Sequence, residues 1–137
     1  MAVGGVEVLD LGFVATEALT EYRFVQGEFT DGRGVKTVAN AGEQVLGVAM
    51  HSVESKFFIS GSPDPHVNVR LMGIATVEAG GVVPAGSMVA TDADGKAVVA
   101  QGGDFAAGMA LDGASGAGEL ISVFLLAPAA QAVVTSP

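Results

Sequence analysis

The sequence predicts an all-β fold, a small barrel or sandwich built from two similar β motifs. No window shows the apolar spacing of an amphipathic helix, and valine and alanine dominate the apolar residues. Glycine and aspartate interrupt the chain roughly every eight to twelve residues, which is the turn spacing typical of small barrels and sandwiches. The chain also repeats itself, so that one β motif accounts for most of its length.

The repeat is clearest over residues 30–50, which match residues 91–111 without a gap at an offset of 61. Eight of these 21 positions are identical, and three of the identical pairs are glycines. The match resumes between residues 67–72 and 121–126 at an offset of 54, so the first copy has about seven extra residues within 51–66. The two predicted copies of the motif span about 18–77 and 83–127.

Each copy is predicted to form four strands in the same order. These strands cover residues 22–25, 35–38, 45–50 and 67–77 in the first copy and 87–90, 96–99, 105–111 and 119–126 in the second. Asp31-Gly32 and Asp94-Gly95 predict hairpin turns, because glycine tolerates the positive φ that these turns need. Residues 16–21 are predicted to form a single helical turn before the first strand.

Two segments fall outside the β domain predicted for residues 18–127. Residues 1–17 predict an extended N-terminal arm that adds a strand to a neighbouring protein. The residues that would anchor this arm at the interface are Val6, Val8, Leu9, Leu11 and Phe13. The alternative is that the arm is the first strand of the barrel itself. Residues 128–137 predict a flexible C-terminal tail.

Charge and hydropathy narrow the classes of partner. The net charge is −9 and the six basic residues are scattered, which argues against direct binding to nucleic acid. The longest bulky apolar run, residues 120–127, is far shorter than the roughly 20 residues that cross a membrane, and residues 1–10 lack the basic start of a secretory signal. The mean hydropathy of +0.52 indicates apolar surface that is covered by association with other proteins, and the alternative is a chain that is simply rich in alanine and glycine.

Residues that carry chemistry are few. The absence of cysteine excludes disulfides and thiolate ligands, and the spacing of the two histidines, His51 and His66, indicates no catalytic triad. Asp92 and Asp94 resemble the start of a calcium loop, but Gly103 stands where a bidentate glutamate is needed. No phosphate-binding loop sequence occurs. We therefore expect no enzyme activity, no catalytic residue, no metal and no cofactor.

Four stretches resemble the small head-decoration, or capsid cement, proteins of tailed bacteriophages, especially phages of actinobacterial hosts. They are residues 22–25 (YRFV), 41–49 (AGEQVLGVA), 79–99 and 118–125 (GELISVFL). The resemblance implies an all-β barrel without catalysis that binds the major capsid protein on the outer surface of the virion head. It also implies a homotrimer at three-fold or quasi-three-fold positions, made in the host cytoplasm. The connection over residues 51–66 departs from the family pattern.

That connection carries Phe57, Phe58 and Ile59, three bulky apolar residues in a segment that the second copy lacks. One hypothesis is that they contact the capsid or another subunit, because buried aromatic anchors dominate interface energies. The alternative is a strand packed on the end of the barrel.

Two other functions remain open. Residues 77–92 resemble half of a biotinyl or lipoyl carrier domain, but no Met-Lys-Met-like string occurs and Lys96 enters a predicted strand. A small carrier or ligand-binding β domain is therefore one alternative. The other is a structural protein of the phage tail or baseplate, which would need the same kinds of contact.

Overall fold

The computed structural model describes residues 8–30 and 32–135, and it is all-β, as predicted. Over these residues the chain forms nine strands, two short 3₁₀ helices and no α-helix. The strands are β1 (Leu9–Ala15), β2 (Phe24–Glu28), β3 (Gly34–Thr37), β4 (Gly47–Ala49), β5 (His66–Glu78), β6 (Met88–Thr91), β7 (Ala97–Val99), β8 (Gly108–Ala110) and β9 (Leu120–Leu125). The 3₁₀ helices are Ser55–Phe57 and Pro128–Ala130.

Five strands close the first barrel in the order β1-β3-β2-β4-β5, and β5 pairs back onto β1. β1 runs antiparallel to β5, where Leu11 lies opposite Val69, and parallel to β3, where Ala15 lies opposite Val35. Successive side chains of a strand point to opposite faces, so alternate residues fill the barrel. The buried apolar cluster of this barrel contains Phe13, Ala15, Leu19, Val25, Val35, Ala49, Val53, Val67 and Val69.

The second half of β5 continues into a second barrel with the same topology. It pairs antiparallel with β9, where Val77 lies opposite Ile121, and β8, β6 and β7 follow in order. A parallel bridge between Ala79 and Ala97 returns β7 to the end of β5 and completes the barrel. β5 therefore serves both barrels, and Gly73, with a φ of +95°, lies where one half of the strand gives way to the other.

The predicted repeat corresponds to these two barrels, and matched residues make matched contacts. Leu19 and Val53 form a two-residue bridge in the first barrel, and Val83 and Ala114 form its counterpart in the second. Each bridge carries two backbone hydrogen bonds, all between 2.8 and 2.9 Å. Because Leu19 is held in this bridge, residues 16–21 do not form the predicted helical turn.

The structural repeat begins one strand earlier than the predicted motif. β1 opens the first barrel and the second half of β5 opens the second, so residues 9–15 correspond to residues 73–79. Over residues 9–15 the predicted arm is thus the first strand of the barrel, which is the alternative that the sequence left open, and it is not a free docking arm. Backbone pairing to both β3 and β5 explains this outcome. Val6 lies outside the described residues.

Two glycines of the repeat are required by the close approach of a neighbouring strand. A Cβ added at Gly47 in β4 would overlap the backbone carbonyl oxygen of Arg70 in β5. A Cβ added at Gly108 in β8 would overlap that of Phe124 in β9. The identity of these two positions in the repeat therefore reflects the same strand packing in both barrels.

The barrels pack against each other through the outer face of the first. Phe24, Val38, Val45 and Val48 belong to the core cluster of the second barrel, and Phe24 and Val48 have no exposed surface. The backbone N–H of Phe24 also donates to the carbonyl oxygen of Gly95 at 2.7 Å. The second barrel is thus completed by side chains of the first.

The segment after β9, residues 128–135 of the predicted tail, forms hydrogen bonds with the barrels, and its flexibility stays a prediction. The buried side-chain amide of Gln131 bonds to both backbone groups of Val45, at 3.0 and 2.9 Å. Val133 forms an antiparallel bridge with Phe105. The segment therefore forms hydrogen bonds near Val45 and Phe105 of the kind that a neighbouring strand would form. Residues 136 and 137 lie outside the described part of the chain.

The extra residues of the first copy lie in one loop, within the range that the sequence predicts. Twelve positions separate Val53 from Pro65, whereas five separate the matched residues Ala114 and Glu119. The difference is the seven-residue insertion. We call residues 54–64 the insertion loop.

Candidate docking surfaces

The predicted interface residues of the N-terminal segment divide between the interior and the surface. Phe13 is buried in the first barrel, where the guanidinium of Arg33 lies 5.0 Å from the centre of its ring. Val8, Leu9 and Leu11 are exposed. Leu9 lies opposite Met72 of β5, which is also exposed, so the first residues of β1 and this part of β5 carry exposed apolar side chains. We call Val8, Leu9, Leu11 and Met72 the β1 patch.

An ion pair fixes the strands beneath the β1 patch. Both carboxylate oxygens of Asp10 accept hydrogen bonds from the guanidinium of Arg70, at 2.7 and 3.0 Å. These hydrogen bonds hold the pKa of Asp10 below its ordinary value. Asp10 lies opposite Arg70 in the pairing of β1 with β5, so the ion pair stabilises the outer end of β1.

The three apolar residues of the insertion loop also have different environments. Phe58 is half-buried and packs against the core of the first barrel. Phe57 is 53% exposed and Ile59 is 62% exposed. Phe57 ends a 3₁₀ helix and lies under the ammonium of Lys56, at 5.4 Å, so the segment is not the strand considered from the sequence. Phe58 anchors a loop that presents its two neighbours to solvent.

A third apolar surface lies on the second barrel and was not predicted. Met88, Met109, Phe124 and Ile74 lie directly opposite one another across β6, β8, β9 and β5. Met88, Met109 and Phe124 are 39%, 40% and 49% exposed, and Ile74 is half-buried. We call these four residues the outer wall row. One feature of the sequence could have indicated this surface. Phe124 is bulky and apolar, and it lies at an outward-facing position of a strand whose inward-facing residues are also apolar.

The part of the chain that forms the second barrel is strongly acidic. From residue 73 onward the chain has six acidic residues and one basic residue, Lys96. The Lys96 ammonium lies 3.6 Å from one carboxylate oxygen of Glu78, and Arg23 lies 3.4 Å from the other. These three residues sit where the barrels meet. Lys96 therefore forms an ion pair at the contact between the barrels. It differs in this from the lysine of a carrier domain, which is modified at an exposed hairpin tip.

The residues considered for chemistry have structural partners. Asp92 Oδ1 accepts the backbone N–H groups of Asp94 and Lys96, at 2.8 and 2.9 Å, so it stabilises the β6–β7 hairpin. His51 Nε2 accepts the N–H of Asn68 at 3.2 Å. Within residues 8–30 and 32–135, no group of three or more His, Cys, Asp or Glu side chains could hold a metal ion. No helix in the same ranges is long and apolar enough to span a membrane.

Comparison with known proteins adds one similarity at the level of the fold. No protein-family model matches the chain, and no curated protein matches it. Among solved structures, the chain is similar to the N base of the head fiber gp8.5 of bacteriophage phi29, with a TM-score of 0.66 and 19% sequence identity. The alignment covers 88% of this chain and 95% of that one. The two chains therefore share one fold over nearly their whole lengths.

Proposed function

We propose that this chain is a structural protein of a bacteriophage head, which binds the outer surface of the assembled capsid and stabilises it. The observation that carries the proposal is the fold shared with a phage head fiber base over 88% of the chain. The resemblance of residues 41–49 and 118–125 to head-decoration proteins points the same way. Because fold alone does not fix function, the docking surfaces carry the rest of the argument.

The insertion loop is the first candidate for the contact with the major capsid protein. The second barrel connects the matched strands without these residues, so the shared fold does not need them. Phe57 and Ile59 nevertheless present bulky apolar side chains to solvent. Large apolar side chains that become buried on binding contribute most of the energy of an interface. The loop therefore has the properties of an anchor for another protein.

The β1 patch is the second candidate, because it belongs to the same barrel and also exposes apolar side chains. Stabilisation of a shell needs many such contacts rather than one strong one. Copies placed at symmetry-related junctions bind by multivalency, so modest contacts add up to a large resistance to opening. A homotrimer at three-fold or quasi-three-fold positions would suit this role.

Co-sedimentation of the purified chain with undecorated capsids of the phage that encodes it tests the proposal. The wild-type chain is expected to pellet with the capsids, and the substitution Phe57→Asp is expected to weaken this binding at least tenfold. Val82→Asp is the matched control, because Val82 is 66% exposed and lies on the second barrel. A wild-type chain that stays in the supernatant, or that is found in the tail of the virion, would contradict the proposal.

A further inference from the structure

We propose that residues 1–7 pack across the outer wall row of the same chain and cover its apolar side chains. These seven residues, MAVGGVE, lie outside the described part of the chain and lead directly into Val8 and β1. The proposal concerns the purified chain alone, so its outcome does not depend on the proposed role at the capsid.

The outer wall row continues along β5 to the start of β1. Ile74, the member of the row on β5, lies two residues beyond Met72, and alternate residues of a strand share one face. Met72 in turn lies opposite Leu9 of β1. Met72 and Leu9 are 49% and 41% exposed, much like the members of the row. The exposed apolar side chains therefore follow one another from Met88 to the residues that begin β1.

The edge of β5 that β1 occupies is taken by another strand beyond Met72. β5 pairs with β1 as far as Met72 and with β9 from Gly73 onward. The backbone groups of a strand point alternately to its two edges. The opposite edge of β5 carries Met50 and Tyr22, which bond to even-numbered residues in the two halves of the strand. β1 and β9 therefore share one edge and meet end to end.

The chain before Val8 consequently has to leave the sheet. The edge of β5 ahead of it is occupied by β9, and the interior of the second barrel is filled by its own buried core. Of the surfaces of the second barrel, only the outer face is open to this segment. The nearest part of that face is Ile74, at one end of the outer wall row.

The composition and length of residues 1–7 suit this surface. Met1, Val3 and Val6 are bulky and apolar, and the segment has no basic residue. Seven extended residues span about 23 Å, at about 3.3 Å each. The row crosses three strand spacings, about 14 Å, and begins about 7 Å from Met72. The segment is therefore long enough to lie across the row, where the contact removes apolar surface of both parts from water.

The matched wall of the first barrel shows that apolar side chains at these positions are covered. Two of its positions are Phe24 and Val48, which pair across β2 and β4 as the two methionines of the row pair across β6 and β8. Both are fully buried against the second barrel. The other two positions hold the ion pair of Asp10 and Arg70, which stays partly exposed. All four positions of the outer wall row are apolar, so we expect a cover there as well.

Oxidation by hydrogen peroxide, followed by mass spectrometry of the peptides, tests the proposal. Met88 and Met109 are expected to oxidise at least threefold more slowly in the full chain than in a chain that lacks residues 1–7. Met50 is half-buried and lies outside the row, so it should oxidise equally in both. The truncation removes only residues that precede β1, so all nine strands remain.

Variants of full length separate the contact from the length of the chain. Val3→Asp combined with Val6→Asp puts charges into the segment and should expose the two methionines as the truncation does. Val82→Asp, at an exposed position outside the row, should leave their protection unchanged.

The absence of cysteine allows the contact to be trapped directly. Val3→Cys combined with Met109→Cys should form a disulfide within one chain at least tenfold faster than the control pair Val3→Cys and Val82→Cys. Non-reducing electrophoresis and intact mass distinguish this product from a linked dimer.

Three results would overturn the inference. The first is equal oxidation of Met88 and Met109 in the full and the truncated chain. The second is a disulfide that forms equally fast in the control pair. The third is a disulfide that forms only between two chains, or protection that is lost on dilution, because the cover would then come from another copy. If circular dichroism shows that the truncated chain is unfolded, Val3→Asp with Val6→Asp replaces it with the same expectations.

Discussion

The two barrels share one topology but fill their interiors differently. Phe13 and Leu19 occupy the first interior where Val77 and Val83 occupy the second. The second barrel makes up for its smaller residues with side chains from outside, above all Phe24, which belongs to the first barrel. The duplication has thus produced two unequal units, one that fills its own core and one whose core is completed by its neighbour. The three predictions below probe this asymmetry.

The largest expected effect is on Phe24, the side chain that joins the two barrels. Phe24→Ala should lower the free energy of unfolding by about 3–5 kcal/mol, because it removes a fully buried aromatic side chain and leaves a cavity. Met88→Ala changes the matched position of the second barrel, where the side chain is exposed, and should cost about 0.5 kcal/mol. Denaturant unfolding measures both, at concentrations low enough for a monomer. Equal losses would contradict the asymmetry.

A smaller effect is expected at the glycines that both barrels require. Gly47→Ala and Gly108→Ala should each destabilise the chain by about 1–3 kcal/mol, because the new methyl group overlaps a backbone carbonyl of the adjacent strand. Gly12→Ala is the control, since a Cβ there meets nothing within 4 Å. Thermal unfolding should show a lower midpoint for the first two variants and no loss for the third. A harmless Gly47→Ala would mean that the strands lie farther apart.

The smallest effect concerns the ion pair that the second barrel lacks. Arg70 holds the pKa of Asp10 below its ordinary value in the folded chain, so the stabilisation is present above the unfolded pKa of about 4 and is lost as the pH falls through the folded value. Solvent screening limits it to less than about 1 kcal/mol.

Asp10→Asn should therefore reduce stability at pH 7 and flatten part of its decline below pH 4, as followed by denaturant midpoints across pH. Glu28 and Glu119 also have lowered pKa values, so some acid sensitivity remains in the variant. If the variant and the wild type had the same pH profile, the ion pair of Asp10 and Arg70 would not stabilise β1.

The sequence predicted the parts of the fold that depend on local chemistry. The paired glycines set the register of the repeat in the sequence, and at one pair, Gly47 and Gly108, the same steric demand in both barrels explains the identity. Comparison of the sequence with itself did not detect the first strand of each barrel. Ala15 matches Ala79, and Leu19 matches Val83, at an offset of 64, whereas the repeat found in the sequence follows offsets of 61 and 54, and few identities survive at the offset of 64.

The candidate surfaces were harder to predict than the strands. The insertion loop was found because an internal repeat shows which residues are extra. The outer wall row was missed, because its residues look like core residues until the pairing places Phe124 beside Met109 and Ile74. The contacts of the C-terminal segment were missed as well, since they depend on one side chain, Gln131, meeting the backbone of a distant turn.

Electron cryomicroscopy of the phage particle that encodes this chain tests the central claim most directly. The claim predicts double-barrel density on the outside of the head, with Phe57 and Ile59 against the capsid protein. Density for the chain in the tail, or on the head with the insertion loop facing solvent, would contradict it.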